Sequence, residues 1–254
     1  MPAKLIIHGG AGSREGEPID SPAYAEAVRT IVRASFSTLL RFGARAAAVE
    51  AVARLEDDDT FNAGTGSRLQ RDGVARMSAA LMDSDSLALA AVINIEDVRH
   101  PIEVADRLHG QYHPVLAGEH ATRFARQAGF NYHDVVTPHR KRELAQHLRG
   151  PTGTVGDSPT VAGTYVSKNA GISCTGAGEE IVNQATAVRV VTRIDDGWTL
   201  ARASAITVAQ GESAGYRYGF IALDRYGQHT VAQTSGITTV YAVTDGEQLE
   251  TFDG

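Results

Sequence analysis

The sequence contains very little cysteine and no long apolar segment. Cys174 is the single cysteine among 254 residues, which excludes an intrachain disulfide framework and a CxxC metal site. Residues 1–7 lack the extended apolar run of a secretory signal peptide. No stretch approaches the roughly 18 uncharged apolar residues that a membrane span requires. These absences predict a cytoplasmic protein that does not span a membrane.

An excess of positive charge is absent as well. Lysine and arginine number 24 against 30 acidic residues, which gives a formal net charge of -6. The tightest basic cluster, HRKR at 139–142, is followed at once by Glu143, which is typical of a solvated surface segment. A nucleic-acid partner is therefore disfavoured. Hydrophobic residues make up 43% and charged residues 21% of the chain, as in ordinary globular proteins with a sizeable core.

The apolar pattern predicts strands and helices that come in blocks. Helices are expected at 21–43, 46–55, 101–109, 116–127, from 179 to about 191, and at 199–208. Strands are expected at 5–7, where a glycine turn follows, and at 74–82, 87–95, 164–166, 171–175, 220–223, 230–234 and 240–243, the last as an edge strand. Residues 131–153 are polar and basic and form the best linker candidate. Blocks of strands and helices favour layered sheets over a doubly wound parallel sheet.

One short motif suggests a serine esterase. Residues 211–215, GESAG, match the nucleophile elbow around Ser213, and HGGAG at 8–12 resembles the oxyanion loop of esterases. An elbow requires a strand before the serine and a helix after it, whereas residues 216–223 are predicted as loop and strand. Only Asp224 and His229 follow at a convenient distance. Serine esterase chemistry therefore remains a remote alternative.

Six segments together point to a different class of enzyme. They are LIIHGGAG at 5–12, LEDDDTFNAGTGS at 55–67, MSAALMD at 77–83, VGDSP at 155–159 followed by AGTY at 162–165, ISCTGAGE at 172–179 and GFIALDR at 219–225. In this order they resemble the plant-type asparaginase / isoaspartyl peptidase family, and the resemblance covers nearly the whole chain. It implies one α+β domain over residues 1–254, built as the four-layer αββα sandwich of the N-terminal nucleophile hydrolases. Residues 1–153 would correspond to the α part and 154–254 to the β part.

The resemblance also implies a chemistry. Members of the family cleave their own precursor before a threonine, whose hydroxyl then attacks a side-chain amide or a β-aspartyl bond. The freed α-amine, with an ordinary pKa of about 7.7–8.0, serves as the base that the weakly nucleophilic hydroxyl needs. The implied partner is thus a small amide or β-aspartyl peptide, and the implied assembly is a homodimer.

Individual roles can be carried over onto matching positions. The resemblance implies that Thr154 is the nucleophile and that Asp157 binds the α-amine of the substrate. Thr175 and Gly176 would supply oxyanion-hole groups, and Gly178 would add a backbone contact to the substrate. A single lost oxyanion donor typically costs about 2.7–4 kcal/mol of transition-state stabilisation.

Loop 55–67 has two implied roles. Asn62 would support the catalytic threonine. The backbone carbonyl groups of Leu55, Glu56, Phe61 and Ala63 would hold a structural sodium ion, and no other cofactor is implied. As an alternative from the residues alone, Asn62 is an ordinary Asx-turn residue.

The motifs depart from the family at residues 153–157, GTVGD. In the family, a Gly-Thr-Val-Gly that opens a hairpin and an Arg-Val-Gly-Asp-Ser-Pro are separated by a strand containing Ser-Thr-Gly-Gly. Here the two motifs overlap and that strand is missing. Thr154 therefore falls both on the nucleophile and on the arginine that grips the substrate carboxylate.

Two hypotheses follow from this overlap. One is an active threonine amidohydrolase with altered substrate contacts, in which Arg149 or Arg140 takes over from the lost arginine. The other is an uncleaved, catalytically inactive relative that binds a ligand or has a structural role. Two further departures favour the second, since Ala177 stands where the family has histidine and Ser78 where it has aspartate.

Overall fold

The strands and helices follow the predicted blocks closely. A computed structural model describes residues 3–12, 22–146 and 152–252. Its strands are β1 Leu5–Gly12, β2 Met77–Met82, β3 Leu89–Ile95, β4 Val115–Ala117, β5 Thr164–Val166, β6 Ala170–Gly176, β7 Tyr218–Asp224, β8 His229–Gln233, β9 Thr238–Thr244 and β10 Leu249–Thr251. Its helices are α1 Pro22–Phe42, α2 Ala44–Asp57, α3 Pro101–Leu108, α4 Gly118–Gln127, α5 Pro138–Gln146, α6 Gly178–Gln184, α7 Thr186–Asp195 and α8 Leu200–Ser213.

Local chemistry accounts for the longest helix. Pro22 is the first residue of α1, a position that has no intrahelical use for a backbone N–H. Its buried side chains, among them Val28, Ile31 and Val32, recur at three- and four-residue steps and form one apolar face. Gly43, with φ of 87°, separates α1 from α2, because glycine adopts this backbone conformation without steric cost.

The strands form three sheets in the described part of the chain. One has the antiparallel order β5-β6-β7-β8, and a second has the order β1-β9-β10. The third has the order β2-β3-β4, where β2 and β3 are antiparallel and β3 and β4 are parallel. Mostly antiparallel sheets with helices in separate blocks define the α+β class.

Helices cover the sheets on defined sides. Helix α1 packs on β1 and β9, while β1 also contacts β6 and β7 of the neighbouring sheet. Helix α7 packs on β5 and β6, and α8 packs on β7 and β8. Helices α3 and α4 cover the third sheet, and its strand β2 contacts β5. The contacts of β1 and β2 thus join all three sheets.

Three sequence-based expectations about local structure are wrong. Strand β1 does not end before the glycines but continues to Gly12 through a bulge between His8 and Gly10. Strand β9 is central in its sheet, not an edge strand, because β1 and β10 pair on its two sides. The helix expected from residue 179 is broken at Ala185, whose φ of 52° is left-handed, a conformation that ends a right-handed helix.

The segment predicted as a linker contains ordered, packed structure. Helix α5 lies within residues 131–153, and Val135 and Arg140 are almost completely buried. The rest of that prediction falls partly on residues 147–151, which lie outside the described ranges. Among the described helices, none has both the length and the apolarity needed to cross a membrane.

Candidate active site

The segment around Thr154 is held by two amide side chains. The backbone N–H of Gly153 donates to Gln70 Oε1 at 2.6 Å, and Gln70 Nε2 donates to the carbonyl oxygen of Thr154 at 3.2 Å. Asn94 Nδ2 donates to the carbonyl oxygen of Gly153 at 3.2 Å. Thr154 itself is solvent-exposed. The Gly153–Thr154 peptide bond is therefore fixed on both sides yet accessible.

Three residues further on, the carboxyl group of Asp157 is buried. Asp157 is 7% exposed, and its Oδ2 has no hydrogen-bond partner. The pKa of this carboxyl is raised to about 6, mainly by burial. A hydrogen bond from the backbone of Asp157 itself opposes the rise, and the nearby charge of Glu179 adds to it. A buried carboxylate with an unsatisfied oxygen is stabilised when a cation, such as a protonated amine, reaches it.

Two glycines make room for this carboxyl group. A Cβ on Gly163 would lie 2.5 Å from both the carbonyl oxygen and Oδ2 of Asp157. A Cβ on Gly178 would lie 3.2 Å from the backbone nitrogen and Oδ1 of the same residue. Cys174 is also close enough for the Asp157 charge to raise the pKa of its buried thiol, after the larger effect of burial. The AGTY and TGAGE motifs thus converge on Asp157, while the backbone contact of Gly178 with the substrate stays a prediction.

Thr175 and Gly176 lie at the end of β6, just before Gly178. Gly176 pairs with Tyr218 of β7 and has φ of 126°. A Cβ there would lie 2.7 Å from the carbonyl oxygen of Arg217, so glycine is required both for its backbone conformation and for space. The next backbone N–H, that of Ala177, donates to the same oxygen at 2.9 Å. The assignment of Thr175 and Gly176 to an oxyanion hole stays a prediction.

Asn62 has a local partner within its loop. Its Oδ1 accepts from the backbone N–H of Arg68 at 2.8 Å, and the residue is exposed. This contact stabilises the turn that follows Phe61. A supporting role towards Thr154 stays a prediction.

The sodium site that the resemblance implies in loop 55–67 stays a prediction. The carbonyl oxygens of Leu55, Glu56 and Phe61 each accept a hydrogen bond, and each keeps a second lone pair. Glu56 is buried with an unpartnered Oε2, and burial raises its pKa well above the usual value. Together with Ala63, these carbonyl groups would hold the sodium ion, which would support the loop and take no part in the reaction.

Arg140 is bound to this loop and is not available to a substrate. It is 2% exposed, its Nε donates to the carbonyl oxygen of Gly66, and its Nη2 donates to that of Phe61 at 3.4 Å. Its Nη1 pairs with Glu143 at 2.8 Å. The suggestion that Arg140 replaces the missing arginine is therefore wrong, and Arg149 lies outside the described residues.

Replacing Arg140 with methionine is expected to destabilise the protein by about 3–5 kcal/mol, because Glu143 and two carbonyl groups lose a buried partner. Urea unfolding followed by circular dichroism measures the effect. Arg142→Met, at an exposed position of the same helix, is the control and should change stability by less than about 0.5 kcal/mol. Equal stability of the two variants would contradict the structural role of Arg140.

The serine esterase hypothesis is wrong. Ser213 is the last residue of α8, and its hydroxyl donates to the carbonyl oxygen of Ala209 at 2.9 Å. A nucleophile elbow needs the turn between a strand and a helix. His8 is no general base either, since burial lowers its pKa to about 4. Its Nδ1 accepts from the backbone N–H of Gly10, so Nε2 carries the proton that is donated to Ser173.

Comparison with known proteins identifies the family. A family model described as Asparaginase matches residues 1–153 and 151–252. The isoaspartyl peptidase/L-asparaginase of a Synechocystis strain is 33% identical over 305 aligned residues, covering 100% of this chain and 92% of its own length. The plant-type L-asparaginase of Thermococcus kodakarensis is 33% identical, with 96% and 97% covered. The chain belongs to this asparaginase family.

The same comparisons bear on the missing segment. The alignment with the Synechocystis protein extends over 305 positions, whereas this chain has 254 residues. The relative therefore carries a substantial number of residues that have no counterpart here. The two pieces of the family match meet at residues 151–153, directly before Thr154, where the sequence motifs collide.

Proposed function

We propose that this protein is an asparaginase-like and isoaspartyl-peptidase-like amidohydrolase that uses Thr154 as its nucleophile. The observation that carries the proposal is the Asp157 carboxyl group, buried, unpartnered at Oδ2 and three residues from Thr154. Three residues span at most about 10 Å. An amine bound at Asp157 thus lies within reach of the Thr154 hydroxyl, as hydrolysis of a small amino-acid amide requires.

Each group in the proposed reaction has a separate task. Asp157 ionises and binds the substrate α-ammonium group. Cleavage of the Gly153–Thr154 bond frees the Thr154 α-amine, which takes the proton from Oγ as that oxygen attacks the amide carbon. Thr175 and Gly176 stabilise the negative charge that develops on the substrate oxygen. The carbon–nitrogen bond then breaks, and the departing ammonia or amine takes the proton from the Thr154 amine, which leaves an ester on Oγ. Water hydrolyses this ester, releases the acid and restores the Thr154 hydroxyl.

The wider architecture supports the same assignment. Helix α1 packs on the sheet of β1, this sheet contacts the sheet of β6, and α7 and α8 pack on that second sheet. This succession of layers fits a four-layer αββα sandwich. The homodimer and the cytoplasmic location stay predictions. The proposed reaction at Asp157 depends on neither the oligomeric state nor the location.

A second candidate function is ligand binding without turnover. The residues missing around Thr154 favour it, because the lost hairpin would have carried part of the family's catalytic apparatus. An uncleaved chain that retains the Asp157 pocket would bind the same amine-bearing ligands. Such a protein would give a saturable calorimetric signal with L-asparagine but would release no ammonia.

A substrate series tests the proposal. L-Asparagine and a β-aspartyl dipeptide should be hydrolysed, and acetylation of the α-amine should abolish hydrolysis because Asp157 then has no cation to bind. Converting the α-carboxylate to an amide should change kcat/KM by less than about tenfold, since the motif at 153–157 contains no arginine that would bind this carboxylate. Ammonia or aspartate release is the readout. Absence of hydrolysis for every compound would refute the amidohydrolase and leave the binding protein.

A further inference from the structure

We propose that Asn94 is a catalytic residue for self-cleavage, and that its side-chain amide stabilises the oxyanion formed at the carbonyl group of Gly153. This inference rests on the proposed function, since it concerns the step that frees the Thr154 amine. Asn94 Nδ2 lies 3.2 Å from the Gly153 carbonyl oxygen. That oxygen is bonded to the carbonyl carbon of Gly153, whose bond to the Thr154 nitrogen must break.

The backbone around Asn94 is arranged to aim this side chain. Strands β2 and β3 pair Met77 with Ile95 and then Ala79 with Val92, so β3 carries an extra residue in a bulge. Asn94 lies in this bulge with φ of 53°, and its backbone N–H donates to the hydroxyl of Ser78 at 3.2 Å. Bulges redirect side chains, and a non-glycine residue in this left-handed region costs conformational energy. This backbone conformation directs the Asn94 side chain to the carbonyl oxygen of Gly153.

Gln70 holds the same bond from the other side as a positioning residue. Arg76 fixes the orientation of the Gln70 amide, since Arg76 Nη1 donates to Gln70 Oε1 at 3.0 Å. Arg76 is itself held by Asp72 at 2.9 Å and Glu96 at 2.8 Å. With Oε1 accepting from Arg76 and from Gly153, Gln70 Nε2 must point to the carbonyl oxygen of Thr154. The residues flanking the bond therefore cannot rotate freely.

Self-cleavage of the Gly153–Thr154 bond needs water as its only other reactant. Thr154 Oγ attacks the carbonyl carbon of Gly153, and the negative charge moves to the carbonyl oxygen, where Asn94 Nδ2 donates. The hydroxyl proton passes to the Thr154 nitrogen, the carbon–nitrogen bond breaks, and an ester with a free α-amine remains. Water hydrolyses the ester to the Gly153 carboxylate and restores the Thr154 hydroxyl.

The test separates catalysis from folding by using glycine at position 94. Asn94→Gly relieves the left-handed backbone and removes the amide, so stability should hold or rise while cleavage slows about 100-fold. Leu87→Gly is the matched control, because Leu87 is another non-glycine residue with positive φ, on the β2–β3 hairpin. It should cleave at the wild-type rate. Full-length chains made by cell-free synthesis are sampled over time, with fragments resolved by intact mass and stability followed by thermal unfolding.

A second variant keeps the test valid if the glycine variant folds poorly. Asn94→Asp keeps the shape of the side chain but offers no donor at neutral pH, and it should slow cleavage at least as much. If both variants fold and cleave at the wild-type rate, Asn94 has no catalytic role, and the proposed amidohydrolase function stands without it. If the wild-type chain never cleaves, the proposed function itself fails, and the role of Asn94 fails with it.

Discussion

Replacing Thr154 with alanine is expected to leave the chain uncut and to lower kcat/KM for the β-aspartyl dipeptide by at least about 1000-fold. The reason is that the same hydroxyl serves two reactions, the opening of the Gly153–Thr154 bond and the attack on the substrate. Without it, neither the nucleophile nor the α-amine base is formed. Electrophoresis and aspartate release measure the two losses separately.

Two further variants make the Thr154 result specific. Thr152→Ala changes an exposed threonine two residues upstream and should leave both reactions intact. Thr154→Ser keeps a hydroxyl group and should restore cleavage with reduced turnover. If Thr154→Ala retains wild-type hydrolysis, another residue is the nucleophile and the assignment of the active site is wrong.

Replacing Asp157 with asparagine is expected to weaken substrate binding while making the folded protein more stable at pH 7.5. The substrate ammonium loses its counter-charge, and we expect KM to rise by about 100-fold, the scale of a buried charge pair. A nearly isosteric amide has no charge to desolvate in a site that is 7% exposed. Function and stability therefore move in opposite directions at this position.

The pH dependence of the stability effect follows from the direction of the pKa shift. The pKa of Asp157 is about 6 in the folded chain against a reference value of 3.8, so folding favours the protonated carboxyl. The contribution of this carboxyl group to the free energy of unfolding is fully present below about pH 4. It is lost as the pH rises to about 6, and it stays low above that pH. By linkage the penalty at pH 7.5 is of the order of 1–3 kcal/mol, and Asp157→Asn removes it.

The measurement is a pair of urea titrations at pH 4.5 and pH 7.5 together with substrate kinetics. Asp157→Asn should exceed the wild type in stability at pH 7.5 and approach it at pH 4.5. Asp196→Asn, at an exposed position, is the control and should change neither stability nor KM. A loss of stability at pH 7.5 in the Asp157 variant would contradict the unpartnered, buried carboxylate.

Much of the fold was predictable because local chemistry determines it. The apolar spacing and Pro22 predict α1, and the alternation from Met77 to Ile95 predicts the β2–β3 hairpin, both of which the structure confirms. The central place of β9 was not predictable, since alternation says nothing about which strands pair on each side. The break at Ala185 depends on a left-handed alanine, for which the sequence carries no signal.

The candidate site also contains residues that the sequence predicts and residues that it does not. The motif around Asp157 predicts a substrate-binding carboxylate, and that role stays a prediction, while the structure adds that Gly178 lies against this carboxyl group. The roles of Gln70 and Asn94 could not be predicted, because they lie 83 and 59 residues from Gly153 in the chain. Their contacts arise only once β3 and the loop before β2 have folded against residues 153–154. Arg140 looked like a surface residue in a basic run, yet its guanidinium group is buried against loop carbonyl groups.

The intact mass of freshly purified full-length protein tests the central claim most directly. We expect two species corresponding to residues 1–153 and 154–254, with Thr154 as the new N-terminal residue and the two masses adding up to the chain plus one water. A single species at 27.0 kDa that persists on prolonged incubation and hydrolyses neither L-asparagine nor a β-aspartyl dipeptide would contradict it.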